Sequence, residues 1–176
     1  YVMHTNYDAA VGGINDVLAE RLGVTGAKAM IPTYETKMFK LATFVPGEAV
    51  DAVRDAVAEA GGGVIGNYTH CSFQSPGTGT FKAEEGAEPY IGKVGELEKV
   101  AEFRLEMLVA EDRLHDAISA LIAAHPYDEV AYDVYPLWNK GKTHGIGWVG
   151  KLRSPMSFQR FCGMVCRELG VPDPRV

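Results

Sequence analysis

Between Val100 and Val109 apolar and polar residues alternate strictly. Phe103, Leu105, Met107 and Val109 fall on one side and Glu102, Arg104 and Glu106 on the other, which predicts a strand with one buried face. The pattern around it predicts more of the same domain. Phe39–Val45 reads as a strand. Pro46-Gly47 then opens a helix that turns Val50, Val53 and Val57 inward and stops at Gly61-Gly62-Gly63. Val64–Phe73 reads as a second strand, and Gln74–Gly95 as a long loop in which Thr80-Phe81-Lys82 pairs as a short strand. Glu111–Ala124 predicts a helix with Leu114, Ile118 and Leu121 inward, stopped by His125-Pro126, and Val130–Tyr135 a last strand. The order is β-α-β, loop, β-α-β. Its halves are faintly alike, since Val45, Val50, Val57 and Ala60 correspond to Val109, Leu114, Leu121 and Ala124. A duplicated β-α-β unit predicts the ferredoxin-like arrangement, an antiparallel sheet with two helices on one face.

The flanks carry different patterns. Tyr1-Val2-Met3 is apolar and turns polar at His4-Thr5-Asn6-Tyr7-Asp8, which predicts a buried strand leading into the Gly12-Gly13 turn. Residues 13–23 predict a helix with Ile14, Val17, Leu18 and Leu22 on one side; Lys28–Ile31 predicts a short strand ended by Pro32. Beyond Asn139, Gly145–Gly150 predicts a strand, and Ser157 caps a helix with Phe158, Phe161, Cys162, Val165 and Leu169 inward.

Composition narrows the class. The chain has 176 residues, 47% hydrophobic and 23% charged, enough for one domain or two small ones with a sizeable core. A net charge of −6, with no basic stripe, argues against a nucleic-acid surface. No apolar run is long enough to span a membrane, and no signal-peptide pattern is visible. Three widely placed cysteines point to reduced thiols and a cytoplasmic setting. Tyr1, inside an apolar run, and the linker-like Pro172–Val176 end suggest an internal fragment of a longer protein.

The densest chemistry lies in the first residues. Asp8 can offer a metal two oxygens and His4 an imidazole nitrogen; the plainer reading is a capped loop. The other histidines have structural readings. His70 is packed in a strand beside Cys71, and His115 is solvated on a helix. His125 bonds the last carbonyls of its helix, and His144 lies in a Gly/Lys loop. Cys162 and Cys166 share a helix face, but no second ligand pair accompanies them. Asp128-Glu129 and Glu84-Glu85 read as a turn and a solvated loop. Gly77-Thr-Gly-Thr80 lacks the Lys of a phosphate-binding loop and reads as a tight turn or subunit contact with glycine at positive φ.

His4-Thr-Asn-Tyr-Asp8 followed by Gly12-Gly-Ile-Asn-Asp16 resembles the motif pair of the NGG-interacting-factor-three-like dinuclear metal-centre family, the GTP cyclohydrolase 1 type 2 homologues. Gly66–Phe73, Gly77–Phe81, Glu88-Pro-Tyr-Ile-Gly92 and His125-Pro-Tyr-Asp-Glu-Val-Ala-Tyr132 resemble the PII/CutA-like insert of its longer bacterial members. The resemblance implies an α/β (α+β) chain in three parts. Residues 1–37 would end the first half of a metal-binding domain, 38–137 would be the ferredoxin-like insert, and 138–176 would start the second half. It implies Asp8 as a metal ligand and His4 as an active-site residue beside two divalent metals (Zn, Fe or Mn). The family's His-His-Pro motif and its C-terminal His and Glu are absent, so the metal site is incomplete in this chain, which alone would be inactive.

Three functions follow as expectations. One is a metal-dependent hydrolase with an unnamed small-molecule substrate, carried here by part of its site. The second is an assembly module, a homo-oligomer built as a trimer or as the family's hexamer, with Phe73, Phe81, Tyr90 and Ile91 as anchors. The third is a small-molecule sensor of the PII kind.

Overall fold

The computed structural model describes residues 2–172. These form two compact units, Thr36–Gly141 and a second made of the described residues before Thr36 and after Gly141. The elements run α1 (Thr5–Ala9), α2 (Ile14–Arg21), β1 (Val24–Pro46), α3 (Val50–Glu59), β2 (Ser72–Lys82), β3 (Leu97–Ala110), a 3-10 turn (Glu111–Arg113), α4 (Leu114–Ala124), β4 (Tyr132–Leu152) and α5 (Phe158–Leu169).

In the Thr36–Gly141 unit the sheet order is β2-β3-β1-β4, with β3 antiparallel to both neighbours. With α3 and α4 as crossovers this is the ferredoxin-like βαββαβ topology. The central strands follow their alternation. Thr43 opposes Leu105, Leu41 opposes Met107 and Phe39 opposes Val109, while Phe44 opposes Arg104 and Ala42 opposes Glu106. The first set faces the helices. Leu41, Val45, Leu105, Met107 and Val109 pack with Val50, Val53 and Val57 of α3 and Ala117 and Leu121 of α4 into one cluster. Thr43 is buried there because its hydroxyl donates to the Ala131 carbonyl at 2.8 Å. Leu114 and Ile118 pack at the margin of the cluster, as their spacing predicts.

Three expectations fail in this unit. Of Val64–Phe73 only Ser72 and Phe73 are strand, as the start of β2; the residues before them turn through Gly66 and His70, both at positive φ, with one isolated bridge from Ile65 to Tyr68. Gln74–Gly95 is not all loop, because Ser72–Lys82 pairs along its whole length with β3. Its Gly, Thr and Ser residues read as loop locally, but the donors and acceptors of β3 dictate a strand. As an edge strand it also tolerates Pro76. Gly77 and Gly79 therefore sit in a strand, not at a positive-φ turn.

In the other unit, Ser157 caps α5 by accepting from the Arg160 N–H at 3.4 Å, and Gly170 closes it in the left-handed conformation. Phe158, expected inward, is 60% exposed. β1 runs straight through Pro32. At this point β3 no longer pairs with β1, since their register covers only Met38–Pro46, so a proline without an N–H is tolerated on the open side. Thr25 donates to Lys151 at 3.0 Å and Thr33 to His144 at 3.5 Å, so this half of β1 runs antiparallel to β4. Val2–His4 is not a buried strand. Val2 is 94% exposed, and the chain enters α1 directly. Among the described residues no helix is long and apolar enough to cross a membrane.

Leu105 is 2% exposed at the centre of the cluster. Leu105→Ala is expected to destabilise the chain by about 2–5 kcal/mol in denaturant titration, the range for truncating a buried leucine. A loss far below about 1 kcal/mol would contradict this packing.

Candidate functional site

Two places carry chemistry, one in each unit. In the first, the polar residues of the N-terminal motif divide into two groups. Asn6 Oδ1 accepts the His4 backbone N–H at 2.9 Å, Asn15 Nδ2 donates to the Asp8 carbonyl at 2.6 Å, and Asp16 Oδ2 accepts the Gly12 N–H at 2.6 Å. Gly12 takes φ +70°, and a Cβ on Gly13 would strike the Tyr7 and Ala10 carbonyls. Asn6, Gly12, Gly13, Asn15 and Asp16 are thus spent on shaping the α1–α2 turn. Among the described residues the His4 imidazole and the half-buried Asp8 carboxylate make no hydrogen bond or ion pair.

The second place is a cleft of about 650 Å³ in the Thr36–Gly141 unit, within the size range of small-molecule pockets. Its floor is the sheet face opposite the helices, with Phe44 of β1, Gly77 and Gly79 of β2, and Glu102 and Arg104 of β3. Its walls are the segments bearing Phe81, Tyr90 and Tyr127. Glu102 is only 8% exposed, although its alternation marked it as an outward polar position. Tyr127 explains this: its segment crosses Glu102, and its hydroxyl donates to Glu102 Oε1 at 2.7 Å. The other oxygen, Oε2, lies where a Cβ on Gly79 would be, and it accepts no hydrogen bond among the described residues. Glycine at this point of β2 makes room for the carboxylate. Phe81 and Tyr90 stack at tilted angles on the Tyr127 ring, with centroids 6.4 and 6.1 Å away. Burial, and then the bond to Glu102, raises the Tyr127 hydroxyl well above the ordinary tyrosine value, so it remains a donor.

His125 holds Tyr127 in place. The Tyr127 N–H donates to His125 Nδ1 at 3.1 Å, which puts the ring proton on Nε2, and Nε2 donates to the Phe44 carbonyl at 3.0 Å. The ring is 7% exposed. It points to β1, so the expected bond to the last carbonyls of its own helix does not form. Arg104 donates to Glu106 at 2.8 Å and lies over the rings of Phe44 and Tyr135, at 5.6 and 5.9 Å. The Glu106 hydrogen bond is the main cause of a raised Arg104 pKa and a lowered Glu106 pKa.

Of the remaining sequence candidates, His70 is exposed in a bend, 3.2 Å from Thr69 Oγ1, rather than packed in a strand. His115 is exposed as expected, and His144 lies within β4 against Tyr34. Cys71, Cys162 and Cys166 are free thiols. Asp128 Oδ2 accepts the Glu88 N–H at 3.1 Å. Sequence reasoning missed Glu102, Tyr127 and His125 as a group. The one signal for them was an aromatic and a histidine directly after the α4 stop.

The whole chain, residues 1–176, matches the family model for Duf34/NIF3 (NGG1p interacting factor 3). Proteins from Halalkalibacterium halodurans and Bacillus subtilis, each called GTP cyclohydrolase 1 type 2 homolog, are 46% and 45% identical over all of this chain, which spans 47% of each of them. The crystal structure of a Bacillus cereus protein related to NIF3 superposes with a TM-score of 0.79 at 46% identity, covering 95% of this chain and 44% of that one.

Burial, outweighing the Phe44 hydrogen bond and the Glu102 charge, holds the His125 pKa below the ordinary 6.5. The unfolded chain therefore takes up a proton before the folded chain does. This contribution to stability is complete above about pH 6.5 and is lost as pH falls through that value toward the folded-state one. Denaturation midpoints followed across this window are expected to drop on acidification in the wild type and to flatten in His125→Gln. An identical slope in the variant would place the titrating group elsewhere.

Proposed function

The chain belongs to the Duf34/NIF3 family, and from that premise we propose that it contributes Asp8, as a metal ligand, and His4, beside the metals, to a metal-dependent, hydrolase-like protein of the kind that the relatives' name, GTP cyclohydrolase 1 type 2 homolog, denotes. One observation carries this reading. Among the potential ligands of the motif, Asn6, Asn15 and Asp16 are committed to the backbone, while the Asp8 carboxylate and the His4 imidazole are not. In chemistry the pair suits Zn, Fe or Mn. In number it falls short: among the described residues no group of three or more His, Cys, Asp or Glu is placed to hold a metal ion. The remaining ligands would come from the half of its relatives that this chain does not span. Divalent metals bound there would lower the pKa of a coordinated water and polarise the bond under attack. The Asn15 bond to the Asp8 carbonyl orients the ligand-bearing helix, and the exposed His4 imidazole is free to accept or deliver a proton.

In a protein that joins this chain to the part of its relatives that it does not span, Asp8→Ala is expected to abolish most bound metal by elemental analysis, together with hydrolysis of a nucleoside triphosphate probe. Asn15→Ala is expected to weaken metal binding by about 10- to 100-fold, as for other residues that orient a ligand. The 176-residue chain alone is expected to bind Zn²⁺ weakly. Stoichiometric Zn²⁺ in that chain, lost on Asp8→Ala, would show that the ligand set is complete without the remainder. Unchanged metal in the joined Asp8→Ala protein would end the reading.

A second reading concerns the Thr36–Gly141 unit as a small-molecule-binding and assembly module. The cleft favours the first role. Trp138, a 98% exposed indole on β4, favours the second, since an aromatic anchor of that size is enriched at subunit contacts. Phe81 and Tyr90 are engaged with Tyr127, so Trp138 is the better test of assembly. Light scattering is expected to show a homo-oligomer, a trimer or hexamer, that Trp138→Asp dissociates. A folded monomer at micromolar concentration in the wild type would rule assembly out.

A further inference from the structure

We propose that the cleft over Glu102 binds a small organic cation, an amine, guanidine or quaternary ammonium with an apolar body. The proposal rests on the small-molecule reading of this unit and names its ligand class. Glu102 carries the argument. The residue is only 8% exposed, and Tyr127 satisfies one of its two carboxylate oxygens. The second oxygen has no protein partner among the described residues and opens on the cleft, where the donor or positive charge of a ligand can pair with it. The carboxylate itself occupies the space that a side chain at Gly79 would take, and the cleft that both residues line supplies room for that partner.

The rest of the lining favours the same ligand. Its charged side chains are the carboxylates Glu102, Asp128 and Glu129 and the guanidinium of Arg104. Arg104 is already bound to Glu106 and stacked between Phe44 and Tyr135, so its charge is largely spent. An anion would meet an excess of negative charge; a cation would meet attraction. Phe44, Phe81, Tyr90 and Tyr127 bring aromatic rings around the same space, and an organic cation gains from ring faces as well as from carboxylates. The cavity's size suits a whole small molecule.

The test is calorimetry on the 176-residue chain with phenethylammonium, agmatine and choline as probes. Phenethyl alcohol serves as the neutral isostere and phenylpropionate as the anion. At least one cation is expected to bind about tenfold or more tightly than the neutral and anionic probes, with affinity falling as salt rises. Glu102→Gln and, separately, Gly79→Ala are expected to lower that affinity by about tenfold or more while Phe103–Val109 strand signals by NMR stay in place. If either variant fails to fold, the wild-type comparison of charged and neutral probes still decides. Equal or tighter binding of the alcohol or the anion would overturn the cation proposal and leave the small-molecule reading standing. No binding of any probe at millimolar concentration would overturn both. An oligomer that takes no probe and dissociates on Glu102→Gln would show that a basic side chain of a second copy fills the cleft, and the proposal would fail.

Discussion

Strand β3 has two faces with opposite requirements, and the Thr36–Gly141 unit is arranged to meet both. One face must leave water, and Leu105, Met107 and Val109 do so against α3 and α4. The other carries Glu102, Arg104 and Glu106, which need partners, and each finds a different one. Glu106 pairs with Lys40 at 3.6 Å and with Arg104, Arg104 also stacks on rings, and Glu102 is covered by Tyr127. Because the side-chain period of a strand is two, slipping β3 by one residue would place these charges in the core. The register with β1 and β2 therefore positions the core and the cleft together.

The cleft depends on a short relay behind it. The chain leaves α4 at His125 and crosses to the helix-free face by Tyr127. The His125 ring fixes that crossing by bonding β1 on one side and the Tyr127 backbone on the other. Only a neutral imidazole with its proton on Nε2 can make both bonds, and burial favours that form. A group in the middle of the fold thus sets where a hydroxyl meets a carboxylate at the surface of the sheet.

The N-terminal motif works by a different division of labour. Its glycines and amides close a tight turn between two short helices, and none of its side chains there is fully buried. Rigidity comes from hydrogen bonds to the backbone rather than from packing. That leaves the Asp8 carboxylate and the His4 imidazole without a hydrogen bond among the described residues.

Much of this was legible from the chain alone. The alternation of Val100–Val109, the helical spacing of Val50, Val53 and Val57, and the motif around Asp8 predicted the ferredoxin-like order, the core residues and the family. These are local signals, because burial of one face imposes a period that a single element displays by itself. What the chain could not display is pairing between distant segments. Gly77 and Gly79 read as a turn until β3 supplies the ladder that makes them strand. Pro32 reads as a stop until its open side is known. Glu102 reads as a solvated carboxylate until Tyr127 is laid across it from the far end of α4. Sequence determined which residues leave water; only the tertiary structure decided which polar groups go with them, because the partner that makes such a burial tolerable comes from elsewhere in the chain.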